Sequence, residues 1–175
     1  SVNNFFSKIK NDKDVYALLN VAGIASMNLL LTTPEETIKN MINTNLIGTI
    51  FCTKEIMPAF VRSKIGRIIN FSSFAVKIGL QGESVYVASK AGVEGFSRSI
   101  ARELASYNVT VNCISPGPIK TKLTEKVPIK YLDNVIRQQI ITEQCDEEDI
   151  LNCVKLILDS KSNKITGENF IIGGF

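Results

Sequence analysis

The sequence predicts an α/β fold built on a doubly wound parallel sheet. Short, uninterrupted apolar runs alternate with longer segments of helical periodicity. Such runs are typical of strands that are buried on both faces. Small or polar residues follow several of the runs, at the carboxyl ends where parallel α/β sheets bind ligands. Right-handed crossovers between the runs would bring those ends to one edge.

Four strands and five helical segments are predicted in chain order. The strands are placed at 14–19, 66–72, 109–114 and 167–172. The helices are placed at 1–13, 33–62, 83–107, 129–141 and 146–158. Segment 33–62 is interrupted near 44–45, and segments 74–82 and 119–128 are predicted loops.

Three of these assignments depend on local detail. In the first helix, Val2, Phe5, Phe6 and Ile9 form one apolar stripe. At the start of the second, Thr33 is predicted to be the cap, before Pro34 and two glutamates in the first turn. Gly92 and Gly95 each cost the long helix about 1 kcal/mol relative to Ala, so we expect close packing against them.

The composition of the chain narrows the range of possible functions. The chain has 175 residues, enough for one domain over 1–175, and 45% of them are hydrophobic. The net charge of +3 is scattered, and no apolar run approaches a membrane span, so we expect neither nucleic acid nor membrane as a partner. No signal peptide is recognisable, and we expect a cytoplasmic protein.

Two residue types restrict the chemistry. The sequence has no histidine, which excludes Ser-His-Asp and Cys-His catalysis and most catalytic zinc sites, so no metal is expected. Four cysteines, with no Cys-x-x-Cys pair, are interpreted as reduced and mostly buried thiols.

Tyr86 and Lys90 are the strongest candidate pair. Four residues apart, they lie one turn from each other on one helix face. An ammonium near a phenol favours phenolate, so we expect the pKa of Tyr86 to be lowered. Four tyrosines and fifteen lysines give about 0.3 such pairs by chance. A solvated helix turn is therefore the alternative for the pair alone.

Residues at the ends of three predicted strands support a functional role for Tyr86 and Lys90. Ser73 follows the second strand, Pro116-Gly117 ends the third, and 20–23 (Asn-Val-Ala-Gly) ends the first. Two hydroxyls at one edge, from Ser73 and Tyr86, can polarise a carbonyl and protonate the alkoxide that forms. This chemistry suits carbonyl/alcohol interconversion with hydride from a nicotinamide cofactor. Asn45, in mid-helix, is either a structural hydrogen-bond node or a functional residue.

These motifs, in order and spacing, resemble the short-chain dehydrogenase/reductase superfamily. The residues that carry the resemblance are Asn20-x-Ala22-Gly23, Asn45, Ser73, Tyr86-x-x-x-Lys90 and Pro116-Gly117. Segments 66–70, 91–97 and 101–105 look like the 3-oxoacyl-acyl-carrier-protein reductases of fatty-acid synthesis. The resemblance implies the C-terminal portion of a Rossmann-like doubly wound sheet.

The resemblance also implies a role for each motif residue. Tyr86 would be the general acid, Lys90 its pKa setter and ribose contact, Ser73 the carbonyl holder, and Asn45 the holder of a relay water. The implied cofactor contacts, with Tyr86 and Lys90, are Asn20, Val21, Ala22, Gly23, Pro116, Gly117, Ile119 and Thr121. Segment 120–128 would be the substrate lid. NADP would be the cofactor, with NAD possible, and the protein would be a homotetramer pairing the helices that contain Asn45 and Tyr86.

The sequence departs from that pattern in its phosphate site. The superfamily begins with a strand and a Thr-Gly-x-x-x-Gly-x-Gly turn, whereas no two glycines here stand two apart. We therefore expect a fragment or truncated product, with the first strand as an exposed edge, weak cofactor binding and a tendency to aggregate.

The substrate stays open at this stage. Arg62, Lys64 and Arg67 could receive an acidic carrier protein, but Tyr107 stands where the acyl-carrier reductases often have a base. The alternatives are a short-chain dehydrogenase that acts on another alcohol, ketone or sugar, and an inactive fragment that only associates with related subunits.

Overall fold

Four parallel strands form one sheet within the part of the chain that the structure describes. This computed structural model describes residues 2–9, 12, 14–121, 124–125 and 127–175. The strands are β1 (Ala17–Asn20), β2 (Gly66–Phe71), β3 (Val109–Ser115) and β4 (Asn169–Ile171), and they pair in that order. The predicted α/β parallel sheet is confirmed, and its four strands lie within two or three residues of their predicted bounds.

Seven α-helices connect and flank these strands in the described residues. They are α1 (Val2–Ile9), α2 (Glu35–Ile42), α3 (Gly48–Ser63), α4 (Ala75–Ile78), α5 (Ser84–Leu104), α6 (Ile129–Ile136) and α7 (Glu147–Leu158). A π-helical segment, Asn43–Ile47, joins α2 to α3 and confirms the predicted break. Of the predicted first helix, Ser1, Lys10, Asn11 and Lys13 lie outside the described residues.

Both faces of the sheet are covered, as adjacent residues of β2 show. Successive side chains of a strand point to opposite faces. Ile68 packs with Phe60 of α3 and Leu104 of α5, whereas Ile69 packs with Ile157 of α7. All five side chains are 0–1% exposed. Burial on both faces explains why every residue of β3 and all but the last of β2 are buried, including the polar residues Asn70 and Asn112.

The edge strand β1 differs from the central strands. It pairs with β2 alone, and Leu19 is 40% exposed. The predicted exposed edge is therefore confirmed. Because its outer backbone groups have no strand partner in the described sheet, β1 offers a template for pairing with another strand.

Three local predictions are wrong. The hydroxyl of Thr33 donates to the Leu29 carbonyl at 2.9 Å instead of capping α2, which follows Pro34. The predicted loop 74–82 contains the short helix α4. Gly95 has open space around it, with no atom within 4 Å of a built Cβ.

Candidate active site

Two adjoining cavities lie at the carboxyl end of the sheet. Cavity A, about 450 Å³, includes Gly23, Lys90 and Gly117 in its lining. Cavity B, about 460 Å³, includes Glu83 and Tyr131. The two linings share five residues: Ser73, Phe74, Tyr86, Pro118 and Thr124. The predicted convergence of three strand exits on one edge is therefore confirmed.

Ser73 is held at this junction by the strand exit itself. The Phe74 amide donates to the Pro116 carbonyl at 3.2 Å, which ties the exits of β2 and β3 together. The Ser73 hydroxyl accepts from the Ala75 amide at 3.2 Å, at the start of α4. The Phe74 ring stacks on Phe175 with centroids 4.7 Å apart. These contacts fix the Ser73 side chain beside α5.

Tyr86 and Lys90 lie in the first turns of α5 and face the same junction. Tyr86 is 8% exposed and Lys90 is 4% exposed. Ser73 and Tyr86 both line the shared wall, and a polar interaction between their side chains acts to lower the pKa of Tyr86. The structure thus brings the two predicted hydroxyls together and places the predicted ammonium one turn along the helix. The alternative of a solvated helix turn is wrong for this pair.

The pKa of Tyr86 is raised, not lowered as the sequence predicted. Burial is the largest cause, and the charge of Glu83 adds to it, whereas the interaction with Ser73 opposes both. The Lys90 ammonium lies 5.9 Å from the Tyr86 ring centroid and donates to the Phe71 carbonyl at 2.7 Å. Tyr86 therefore holds its proton at neutral pH.

The buried Lys90 head closes the inner end of cavity A. Burial lowers the pKa of Lys90 from 10.5 to about 8, so the side chain is mostly protonated at neutral pH. A Cβ on Gly23 would lie 3.2 Å from the Lys90 Nζ. The absence of a side chain at Gly23 lets the exit of β1 approach this ammonium closely.

Asn45 acts as a structural node. It is fully buried in the π-helical segment. Its Nδ2 donates to the Ile24 carbonyl and to Ser89 Oγ, at 2.9 and 3.0 Å, and its Oδ1 accepts from the Ile24 amide at 2.8 Å. These bonds hold the segment after β1 against α5, which supports the structural alternative for its side chain. Its part in a proton relay stays a prediction.

The predicted cofactor residues divide into two groups. Those that line cavity A are Val21, Gly23, Tyr86, Lys90, Pro116, Gly117, Ile119 and Thr121. Asn20 and Ala22 are not in either lining. The Asn20 amide instead donates to Asn70 Oδ1 at 2.8 Å and to Thr53 Oγ1 at 3.2 Å, beneath the cavity floor. Sequence position alone did not reveal that this side chain turns inward.

Cavity A fits the ribose and nicotinamide end of a dinucleotide cofactor. The Lys90 ammonium lines this cavity and has donors beyond the one that bonds the Phe71 carbonyl, which suits ribose hydroxyls. Lys90 would contact the ribose, Val21 and Gly23 would line the adenosine side, and Pro116, Ile119 and Thr121 would contact the nicotinamide. The described residues contain no glycine-rich phosphate turn.

Cavity B contains the residues that sequence reasoning missed. Thr124 and Val127 of the predicted lid line it, whereas Lys122, Leu123 and Lys126 of that lid lie outside the described residues. Glu83 and Tyr131 also line it, and neither was singled out. Glu83 stands three residues before Tyr86, so helical spacing was the signal available for it.

The predicted basic surface is only partly present. Arg62 and Lys64 are exposed at the end of α3, but Arg67 is 1% exposed. Its guanidinium lies 5.5 Å from the Tyr16 ring centroid and bonds the Gly66 carbonyl and Asn163. Arg67 therefore cannot receive a carrier protein, and that part of the prediction is wrong.

Other possible site types were searched for in the described residues. They contain no group of three or more His, Cys, Asp or Glu side chains that could hold a metal ion. None of their helices combines the length and apolar character needed to cross a bilayer. All four cysteines are free, three of them buried, as predicted.

Known proteins resemble this chain along most of its length. Residues 1–174 match a family model described as enoyl-(acyl carrier protein) reductase. The 3-oxoacyl-(acyl-carrier-protein) reductase FabG of Staphylococcus epidermidis is 36% identical over 160 residues, which are 91% of this chain and 66% of that relative. The protein of the same name from Escherichia coli is 33% identical over 175 residues, 99% of this chain and 72% of that relative.

These matches agree with the motifs at the carboxyl edge of the sheet. The chain spans about two thirds of the length of the curated relatives it matches. Tyr86 and Lys90 on one helix, with Ser73 against them, supply the features from which the resemblance was first drawn. The chain belongs to the short-chain dehydrogenase/reductase family.

Proposed function

We propose that the protein is an NAD(P)H-dependent carbonyl reductase that converts a 3-oxoacyl thioester to its 3-hydroxyacyl form. The observation that carries this proposal is the Ser73–Tyr86 hydroxyl pair, which lies in the wall shared by cavities A and B. A carbonyl that entered cavity B could accept hydrogen bonds from both hydroxyls while its carbon faced cavity A.

The residues of this chain would supply the proton and the orientation. Ser73 and Tyr86 would hold the carbonyl oxygen, and Tyr86 would transfer its proton to that oxygen as the C–O double bond is reduced. Because its pKa is raised, Tyr86 remains protonated at neutral pH and has a proton to transfer. A bound nicotinamide cofactor, NADP in preference to NAD, would supply the hydride to the carbonyl carbon.

Lys90 and Asn45 would support that transfer without touching the carbonyl. Lys90 would bind the ribose and place its positive charge near the phenol once the proton has left. Asn45, inside a π-helical segment of the kind often found at functional sites, would hold the water that returns a proton by way of Lys90. Asn20 and Ala22 would support the neighbouring residues that contact the adenosine part of the cofactor, without lining the cavity themselves.

The proposed substrate class rests on the printed names of the relatives, which are 3-oxoacyl-(acyl-carrier-protein) reductases. An acyl chain suits the apolar part of cavity B, where Met27, Leu80, Leu132 and Val135 lie. Arg62 and Lys64 are exposed bases that could contact an acidic carrier protein.

We also propose a homotetramer located in the cytoplasm, built from one such domain per chain. Phe51 of α3 is 51% exposed, which supports an interface through that helix. The four free cysteines fit a reducing compartment.

The test is reduction of an acetoacetyl thioester, followed by NADPH absorbance. We expect Tyr86→Phe to lower kcat by about 10²- to 10⁴-fold with cofactor affinity retained. Tyr107→Phe, in the 3-10 turn Ala105–Tyr107 that follows α5, is the matched control and should retain activity. Equal turnover by Tyr86→Phe and wild type would contradict the proposed role of Tyr86. A folded wild-type protein that turns over no 3-oxoacyl thioester would refute the proposed function.

A further inference from the structure

Cavity B has one charged side chain among the described residues that line it. That side chain is Glu83, and the other lining residues are apolar or carry neutral hydroxyls, such as Ser26 and Tyr131. Glu83 immediately precedes α5, three residues from Tyr86. A substrate whose carbonyl reaches Ser73 and Tyr86 must therefore place its neighbouring atoms close to a carboxyl group.

The Glu83 carboxyl group is not used to hold the fold together. It occupies the N-cap position of α5, yet its side chain makes no capping hydrogen bond. No hydrogen bond or ion pair joins it to the other described residues. Its negative charge nonetheless acts on the cavity lining, since it contributes to raising the pKa of both Tyr86 and Tyr131. A half-buried carboxylate without a partner has acceptor capacity to spare for a ligand.

We infer that Glu83 selects the substrate of the proposed reductase by charge, in favour of neutral 3-oxo compounds such as thioesters and amides and against free 3-oxo acids. This inference rests on the proposed function and narrows its substrate class. A carboxylate in a partly desolvated cavity repels a second carboxylate and accepts a hydrogen bond from an amide or hydroxyl. Specificity of this kind arises from repulsion of the wrong ligand as much as from attraction of the right one.

Two small ligands of nearly equal size distinguish an effect of charge on binding from an effect of shape. Acetoacetamide and acetoacetate both carry the 3-oxo group, and they differ in an amide against a carboxylate. Their affinities for the purified chain are measured by titration at neutral pH, with tyrosine fluorescence as the signal. The variant is Glu83→Gln, which keeps the size and removes the charge. Glu103→Gln, an exposed position near the end of α5, is the matched control.

We expect wild type and Glu103→Gln to bind acetoacetamide at least about tenfold more tightly than acetoacetate. In Glu83→Gln that ratio should approach one, chiefly because acetoacetate binds better. An unchanged ratio in Glu83→Gln would overturn the inference, and so would equal binding of both ligands by wild type or binding of neither.

The binding ratio does not depend on turnover, so the two proposals can fail separately. If the ratio behaves as expected but no thioester is reduced, Glu83 still selects ligands and the proposed reductase activity is wrong. If thioesters are reduced and the ratio is unaffected by Glu83→Gln, the reductase stands and the selecting role of Glu83 is wrong.

Discussion

The two halves of helix α5 bury different kinds of side chain. The first turns bury Tyr86 and Lys90, whose polar groups lose hydration, and burial shifts the pKa of each. The later turns bury Val93, Ile100 and Leu104 at 0–6% exposure, where they pack on the sheet. Burial of polar groups opposes folding, and burial of apolar groups drives it. One helix thus stabilises the fold with one half and positions a reactive group with the other.

The largest change in stability is expected in the second half. Leu104→Ala should lower the free energy of unfolding by about 2–5 kcal/mol, because it removes a side chain that is 1% exposed and leaves a cavity. Leu156→Ala on α7, where the side chain is 49% exposed, is the matched control and should cost far less. Urea denaturation measures both. Equal losses at the two positions would show that α5 does not anchor the core.

A change in ligand affinity is expected in the first half. The pKa of Lys90 is about 8, so the side chain loses its positive charge as pH rises through that value. If the charged form binds the cofactor, the dissociation constant for NADPH should rise about tenfold between pH 7 and pH 9. Tyr86 stays protonated over this range because its pKa is raised. Nucleotide fluorescence gives the constant at each pH.

The control for that titration is Lys90→Arg, since arginine remains charged throughout the range. Its affinity for NADPH should vary little between pH 7 and pH 9, whatever its absolute value. A wild-type constant that is flat over the same range would show that the Lys90 charge does not contribute to binding.

The smallest effect concerns the two glycines between these halves. Gly95→Ala should raise the free energy of unfolding by about 1 kcal/mol, because a Cβ there meets no atom within 4 Å and Ala favours helix. Gly92→Ala should not give that gain, since its Cβ would lie 2.8 Å from Leu46 Cδ2. Thermal denaturation distinguishes the two. A gain at both positions would mean that Leu46 moves aside without cost.

The sequence predicted those parts of the fold that follow from local pattern. Largely apolar runs predict β2 and β3, and the order of elements predicts their parallel pairing, which places Ser73 and Tyr86 at one edge of the sheet. Such inferences succeed because strand periodicity and crossover handedness leave few topologies.

Features that depend on tertiary surroundings were not predictable. The sequence places Arg67 within the predicted strand 66–72 and Lys64 before it, but it does not show that the Arg67 side chain is buried against Tyr16. The pKa of Tyr86 was predicted in the wrong direction because spacing reports a nearby ammonium but not the desolvation of the phenol. Glu83 was overlooked for the same reason, since its cavity is formed with residues some fifty positions away in α6.

The wall between the two cavities also affects which enantiomer of the product is formed. A planar ketone held by Ser73 and Tyr86 in cavity B would expose only one of its two faces to cavity A. Hydride delivered to that face alone creates a single configuration at the new carbinol carbon. The proposed reductase should therefore form one enantiomer of a 3-hydroxyacyl product, which chiral chromatography of the hydrolysed thioester would detect. A racemic product would mean that the bound ketone presents either of its two faces to the hydride donor.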